Sequence, residues 1–204
     1  SNGRTQHQNP GLRQCSSLVV MLTIMTLQTE RLLFKKVSIE DLNDIHELHS
    51  LPEVDRFNTL GIPETIHSTE KIITEWLNGQ SSNPQTSYTF CLSLLNTKQF
   101  IGLIGLKIGK QNYKTAEIWY KIHLNYWNKG YATEALTKLI DFAFNDLHLH
   151  RIEAGCAVEN IASIKVLEKV GMTKEGMKRK ILPIRGEWKD NYFYAILEED
   201  FYNL

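Results

Sequence analysis

The chain has 204 residues, 42% of them hydrophobic and 23% charged, the proportions of an ordinary globular protein long enough for one domain with a substantial core. Lys plus Arg equals Asp plus Glu at 23 each, so the charge balance gives no ground to expect nucleic acid or an anionic membrane as a partner. The three cysteines, Cys15, Cys91 and Cys156, are odd in number and scattered, which argues against a disulfide framework or a zinc site and for a reducing, cytoplasmic setting.

Residues 1–24 read as a leader, native or added, that is polar and aperiodic at its start and expected to be disordered; residues 25–204 read as a single domain. The apolar run 18–27 behind Arg4 and Arg13 has the outline of a signal peptide, but Thr23 and Thr26 interrupt it and no small-residue cleavage site follows. It is also far too short to span a membrane. Met21 and Met25 are candidate natural starts.

Residues 31–37 predict a first strand. Ser38-Ile39-Glu40-Asp41 then forms a capping box, and Leu42, Ile45 and Leu48-His49 follow at helical spacing until Pro52 ends the helix. Residues 68–77 predict a second helix, with Ile72, Ile73 and Trp76-Leu77 on one face and Asn78-Gly79 as the stop. His46 and His49 share a helix face, but a metal needs further ligands, so both are expected at the surface. Two β-rich runs, 87–95 and 100–108, flank the polar turn Asn96-Thr97-Lys98-Gln99 and predict a hairpin. Residues 105–110 come near a phosphate-binding loop, but the spacing fails. In 116–124, Ile118, Tyr120, Ile122 and Leu124 alternate with Glu117, Trp119, Lys121 and His123, a strand pattern.

Residues 129–147 predict the clearest helix, with an apolar stripe of Ala132, Ala135-Leu136, Leu139-Ile140, Ala143 and Leu147. It opens on Trp127-Asn128-Lys129-Gly130-Tyr131-Ala132-Thr133-Glu134, directly after a strand. A helix N-terminus bares backbone N–H groups, and its dipole favours negative charge, so such a junction suits phosphate oxygens. Gly130 and the small Ala132 let the backbone approach a pyrophosphate. A tight strand-to-helix turn without a ligand has the same local sequence. Residues 151–157 predict a strand and 160–170 a helix, capped by Asn160 and stopped by Gly171. Residues 173–182 and 187–197 close the chain as two strands around an Arg185-Gly186 turn. The order, meandering strands with one late βαβ unit, predicts an α+β (mixed α/β) fold with a central twisted mixed β-sheet flanked by helices.

Four pieces, in order, resemble the GNAT N-acetyltransferase superfamily and within it the RimJ/RimL type: Thr29-Glu30-Arg31-Leu32; the segment 126–136; Glu159-Asn160-Ile161-Ala162-Ser163 with Leu167-Glu168-Lys169-Val170-Gly171; and Gly186-Glu187-Trp188-Lys189-Asp190 with Tyr194 and Glu198-Glu199. The wider superfamily opens its phosphate loop with Gln or Arg where this chain has Trp127; an aromatic there fits the subgroup better than the general motif. The resemblance implies an acetyl-CoA-dependent transferase acting on a protein N-terminal α-amine or a small amine. The composition itself leads to the expectation of no metal, no membrane and no direct nucleic-acid contact, and the exposed edge strands admit a homodimer, with the oligomeric state open. A coenzyme-holding module without catalysis is the alternative.

The resemblance places the pyrophosphate at Asn128, Lys129, Gly130, Tyr131, Ala132, Thr133 and Glu134, and the pantetheine along Ile122, His123 and Leu124, where the strand splays from its neighbour. It has Asn160 hold the pantetheine and sets Ser163 near the coenzyme sulfur as proton donor; both also suit plain first-turn roles. Lys169 either meets the 3′-phosphate or satisfies the helix dipole. Glu117 matches the general-base position of several members; an exposed strand carboxylate reads the same in sequence. Tyr120, Tyr192 and Tyr194 are further possible proton donors, and a backbone N–H of 122–124 is the candidate for the oxyanion. The acceptor groove is expected between the first two helices and the closing hairpin, whose Lys178, Arg179, Lys180, Arg185 and Lys189 make it basic or simply a solvated edge.

Overall fold

Residues 27–203 are described by a computed structural model; the leader assigned to 1–24, with Cys15 and both candidate start methionines, lies outside the described residues. Strands β1 (Leu27–Gln28), β2 (Leu32–Lys36), β3 (Ser87–Leu94), β4 (Phe100–Ile108), β5 (Thr115–Ile122), β6 (Arg151–Ala157), β7 (Thr173–Ile184) and β8 (Glu187–Leu197) form one sheet in the order β1-β2-β3-β4-β5-β6-β8-β7. All neighbours are antiparallel except β5 and β6. That parallel pair needs a crossover, which is helix α4 (Tyr131–Asn145). The other helices are α1 (Leu42–Ser50), α2 (Pro52–Asp55), α3 (Ile66–Ser81), α5 (Ile161–Lys169) and α6 (Glu198–Tyr202).

Alternation along the strands divides the core between two faces. Leu136, Leu139, Ile140 and Ala143 of α4 pack on Phe90, Ile104, Leu106 and Ile118. On the opposite face Ile45 and Leu48 of α1 and Ile73 of α3 pack on Cys91 and Leu103, with Trp76 and Trp119 at the margin. Each such fully buried aliphatic side chain contributes about 1.5–3 kcal/mol relative to exposure, so both helical layers are firmly held. The expected mixed sheet flanked by helices is therefore what the chain forms.

Local signals explain most boundaries. The Ser38 N–H and hydroxyl both donate to Asp41 Oδ2 (2.9 and 3.0 Å), fixing the turn that leads into α1. Leu51 is extended, as a residue before proline must be, and Pro52 then occupies the first turn of α2. Asn78-Gly79 does not stop the second helix, which continues to Ser81. Gly79 is there for packing: a Cβ on it would collide with Ser87 Oγ of β3. His46 and His49 also depart from expectation. His46 Nδ1 lies 2.8 Å from Thr69 Oγ1, and His49 is only 3% exposed. His49 follows Ile45 by four residues, on the stripe that α3 covers. Strand β1 and helices α2 and α6 went unpredicted.

Candidate active site

The parallel β5–β6 pairing covers only Thr115–Glu117 against Arg151–Glu153. Beyond it β5 stays with β4 as far as Ile122, while β6 stays with β8 as far as Ala157, so a gap opens between the two strands. The His123 N–H donates to Ile101 O on the β4 side (2.8 Å). Alternation therefore turns the backbone groups of Tyr120 and Ile122 toward the gap. The Trp127 indole N–H donates to Ile122 O (2.7 Å), tying the following loop to this strand. Of the sequence-named trio, Ile122 thus faces the gap, His123 directs its N–H away, and Leu124 begins the turn beyond it.

That turn leads to α4. Asn128 (φ 59°) and Gly130 (φ 81°) are both left-handed, a conformation asparagine tolerates and glycine favours. The first helical bond is Glu134 N–H to Gly130 O (3.0 Å). The N–H groups of Asn128, Lys129, Gly130, Tyr131, Ala132 and Thr133 have no protein acceptor among the described residues. They form a concave row of donors at the positive end of α4, which fits a pyrophosphate. Glu134 stands apart. Its carboxylate accepts from Thr29 Oγ1 and from Arg31 N and Nε (3.1 and 2.6 Å to Arg31). Burial opposes that charge, but the hydrogen bonds from Thr29 and Arg31 outweigh it and hold the carboxyl below its usual range. Arg31 also donates to Lys129 O (3.1 Å) and lies over the Tyr131 ring. Arg31 and Thr29, in the connection just before β2, thus brace the loop, a role invisible until two segments a hundred residues apart meet. The Lys129 ammonium folds back to Asn125 O (2.9 Å).

Across the gap, Asn160 caps α5 by accepting from the Ser163 N–H (3.1 Å). Ser163 Oγ lies 2.7 Å from the Tyr120 hydroxyl, so a hydroxyl pair bridges β5 and α5 over the gap. Burial pushes the Tyr120 phenol up to about 12, with the Ser163 contact opposing, so it keeps its proton at neutral pH. Lys169 is exposed at the far end of α5, roughly 13 Å along the axis from Asn160. Tyr194 lies on β8 with its hydroxyl directed to Glu168 (3.3 Å), and Tyr192 packs edge-on against it. Among the described residues no group of three or more His, Cys, Asp or Glu is placed to hold a metal ion, and no helix is long and apolar enough to cross a membrane.

Glu117 is exposed and sits where the gap begins, on the sheet face opposite Tyr120. Trp119 and Lys121 share its face. Trp119 covers Gly105, where any Cβ would strike its ring, and stacks on Trp76 (centroids 5.2 Å apart), which meets His49 edge-on. Asp55 of α2 is 2% exposed. Arg185 of the β7–β8 turn reaches over to donate to Pro52 O (2.7 Å) and lies 3.6 Å from Asp55 Oδ2. Burial lowers the Lys121 ammonium to about 8 against the pull of Asp55, and pushes His49 down to about 3, with Lys121 and His46 adding to that shift. Elsewhere in the basic hairpin Lys189 pairs with Glu187 and Glu159, and Lys178 lies over Phe193.

The model of the acetyltransferase (GNAT) domain matches residues 31–173. The uncharacterized N-acetyltransferase p20 of Bacillus licheniformis is 35% identical over 176 residues, covering 86% of this chain and 98% of that protein. Among solved structures, the ribosomal-protein-S5-alanine acetyltransferase of Vibrio fischeri superposes with a TM-score of 0.76 at 21% identity, covering 86% of this chain and 98% of the other. Spermidine N-acetyltransferase of Vibrio cholerae, solved with CoA and spermine, gives 0.75 at 23% identity, covering 86% and 100%. At those identities the two structures speak for the fold.

Proposed function

The chain belongs to the GNAT acetyltransferase family and is an N-acetyltransferase, and we propose that it moves the acetyl group of acetyl-CoA to a primary amine, a protein N-terminal α-amine or a small amine, by direct attack on the thioester. One observation carries this reading: the gap between β5 and β6 has a row of unpartnered amides at one end, 128–133, and a hydroxyl pair, Tyr120–Ser163, across its middle.

In this reading the amides of 128–133 hold the pyrophosphate, and the strand edge at Tyr120–Ile122 takes the pantetheine as an added strand would be taken. The thioester then lies in the gap, with opposite sheet faces offering opposite proton chemistry. On the Trp119 face, Glu117 accepts the proton that the attacking amine loses as its nitrogen bonds to the carbonyl carbon. On the other face, the Tyr120–Ser163 pair donates to the sulfur as the C–S bond breaks and the thiol leaves. A thiol leaves readily near its ordinary pKa of about 8.5, so a hydrogen bond from a phenol near 12 is enough to assist it. The N–H of Ile122, facing the gap, is placed to hold the oxyanion. Cys91 and Cys156 are free and buried, which supports a cytoplasmic working place.

The test is release of free thiol from acetyl-CoA in the presence of primary amines, for wild type and Glu117→Gln. The variant should turn over at least tenfold more slowly at neutral pH with unchanged coenzyme affinity; an unaltered rate would remove Glu117 from the chemistry.

A further inference from the structure

The face of β5 that carries Trp119 and Lys121 holds a set of buried polar ends without partners. His49 and Asp55 are 3% and 2% exposed. His49 Nε2 and Asp55 Oδ1 have no hydrogen-bond partner among the described residues. A third orphan, Asn191 Oδ1, is 4% exposed, with its amide close above Gly155 of β6. The Lys121 ammonium enters no salt bridge among the described residues, yet its charge is felt at both His49 and Asp55. Buried polar groups are nearly always satisfied, so orphans on the sheet face that carries Glu117 mark the footprint of a ligand.

We propose that Asp55, Lys121 and His49 form the acceptor pocket, and that its occupant is a small amine that also carries a carboxylate, an amino-acid-sized zwitterion. The inference rests on the transferase reading above and names the substrate class of that site. The Arg185–Pro52 hydrogen bond ties the β7–β8 turn to α2 beside Asp55. Charge follows from the ends left unpartnered. Arg185 engages one oxygen of Asp55, which leaves Asp55 Oδ1 and the Lys121 ammonium without partners among the described residues. A zwitterion meets both signs, whereas a polycation would leave Lys121 unpaired beside it. Lys121 and His49 take the carboxylate of the acceptor, while Asp55 Oδ1 accepts one N–H of its amine and leaves the lone pair free for attack.

The experiment measures thiol release from acetyl-CoA by the full chain with free amino acids, their decarboxylated amines, peptides with the same first residue, and spermidine. An amino acid should exceed its decarboxylated amine in kcat/KM by about tenfold or more, the value of one charge-assisted hydrogen bond, and should exceed spermidine and the peptide as well. In Lys121→Met that ratio should fall toward one; in Asp55→Asn the acceptor KM should rise about tenfold, and neither should change the acetyl-CoA Kd. The wild-type ratio needs no variant to fold. Preference for the decarboxylated amine, spermidine or the peptide, or a ratio unmoved in Lys121→Met, overturns the pocket and leaves the transferase standing. Failure to bind acetyl-CoA at all overturns both.

Discussion

The two sides of the β5–β6 gap are built from different materials. The side proposed for the coenzyme is backbone: a run of amides at the start of α4, shaped by left-handed Asn128 and Gly130. The side proposed for the acceptor is side chains: His49, Asp55 and Lys121, delivered by α1, α2 and β5 from separate parts of the chain. Backbone sites tolerate sequence change except where a side chain would intrude, so they suit a partner common to a family. Side-chain sites change with single substitutions, so they suit the partner that differs.

The contrast is broken most severely at Gly130. Gly130→Asp places a branched, charged residue at φ 81° against the pyrophosphate. The carboxylate would stand where the diphosphate approaches, adding bulk and like-charge repulsion to the bound state. Calorimetry should show acetyl-CoA affinity reduced at least a hundredfold; unchanged affinity would refute the placement. Next, Tyr120→Phe and Ser163→Ala should each lower kcat about tenfold or more with coenzyme Kd unchanged, and the double variant should cost little beyond either single one, since the two hydroxyls act as a pair. Additive losses would separate them.

Arg31→Ala sharpens the comparison by weakening the loop without touching its amides. It should raise the acetyl-CoA Kd by about fivefold to tenfold, the value of roughly 1 kcal/mol of lost bracing, while thermal unfolding still shows one cooperative transition. On the acceptor side, His49 is held neutral: its folded pKa, about 3, lies below the unfolded value of 6.5. Between those values the unfolded chain binds a proton that the native one does not, so native stability is whole above pH 6.5 and falls as pH drops toward 3. Urea unfolding at pH 7 and 5.5 should show wild type losing roughly 1 kcal/mol more than His49→Leu. An equal loss would mean that His49 is protonated in the fold.

Legibility followed the same division. Gly130 and Asn160 were readable because their roles are local: a positive φ at a helix start and an N-cap whose side chain accepts from the N–H three residues on. The two core stripes were readable from periodicity, and His49 lay on one of them, although its ring type suggested the surface. Gly79 was misread because a glycine that yields to Ser87 looks the same as one that ends a helix. Strand β1 and helices α2 and α6 are too short to show a period. The Tyr120–Ser163 bridge, the Arg31–Glu134 brace and the orphaned Asp55 depend on contacts across 43, 103 and more residues, and no local pattern announces them.

The central claim is that the amides of 128–133 receive the diphosphate of the coenzyme. Backbone amide NMR during a titration with CoA addresses it directly. The expected result is that the 128–133 resonances move most, in step with those of Tyr120, Ile122 and Ser163, and saturate with one equivalent. Saturable binding that leaves the 128–133 amides unmoved would contradict it.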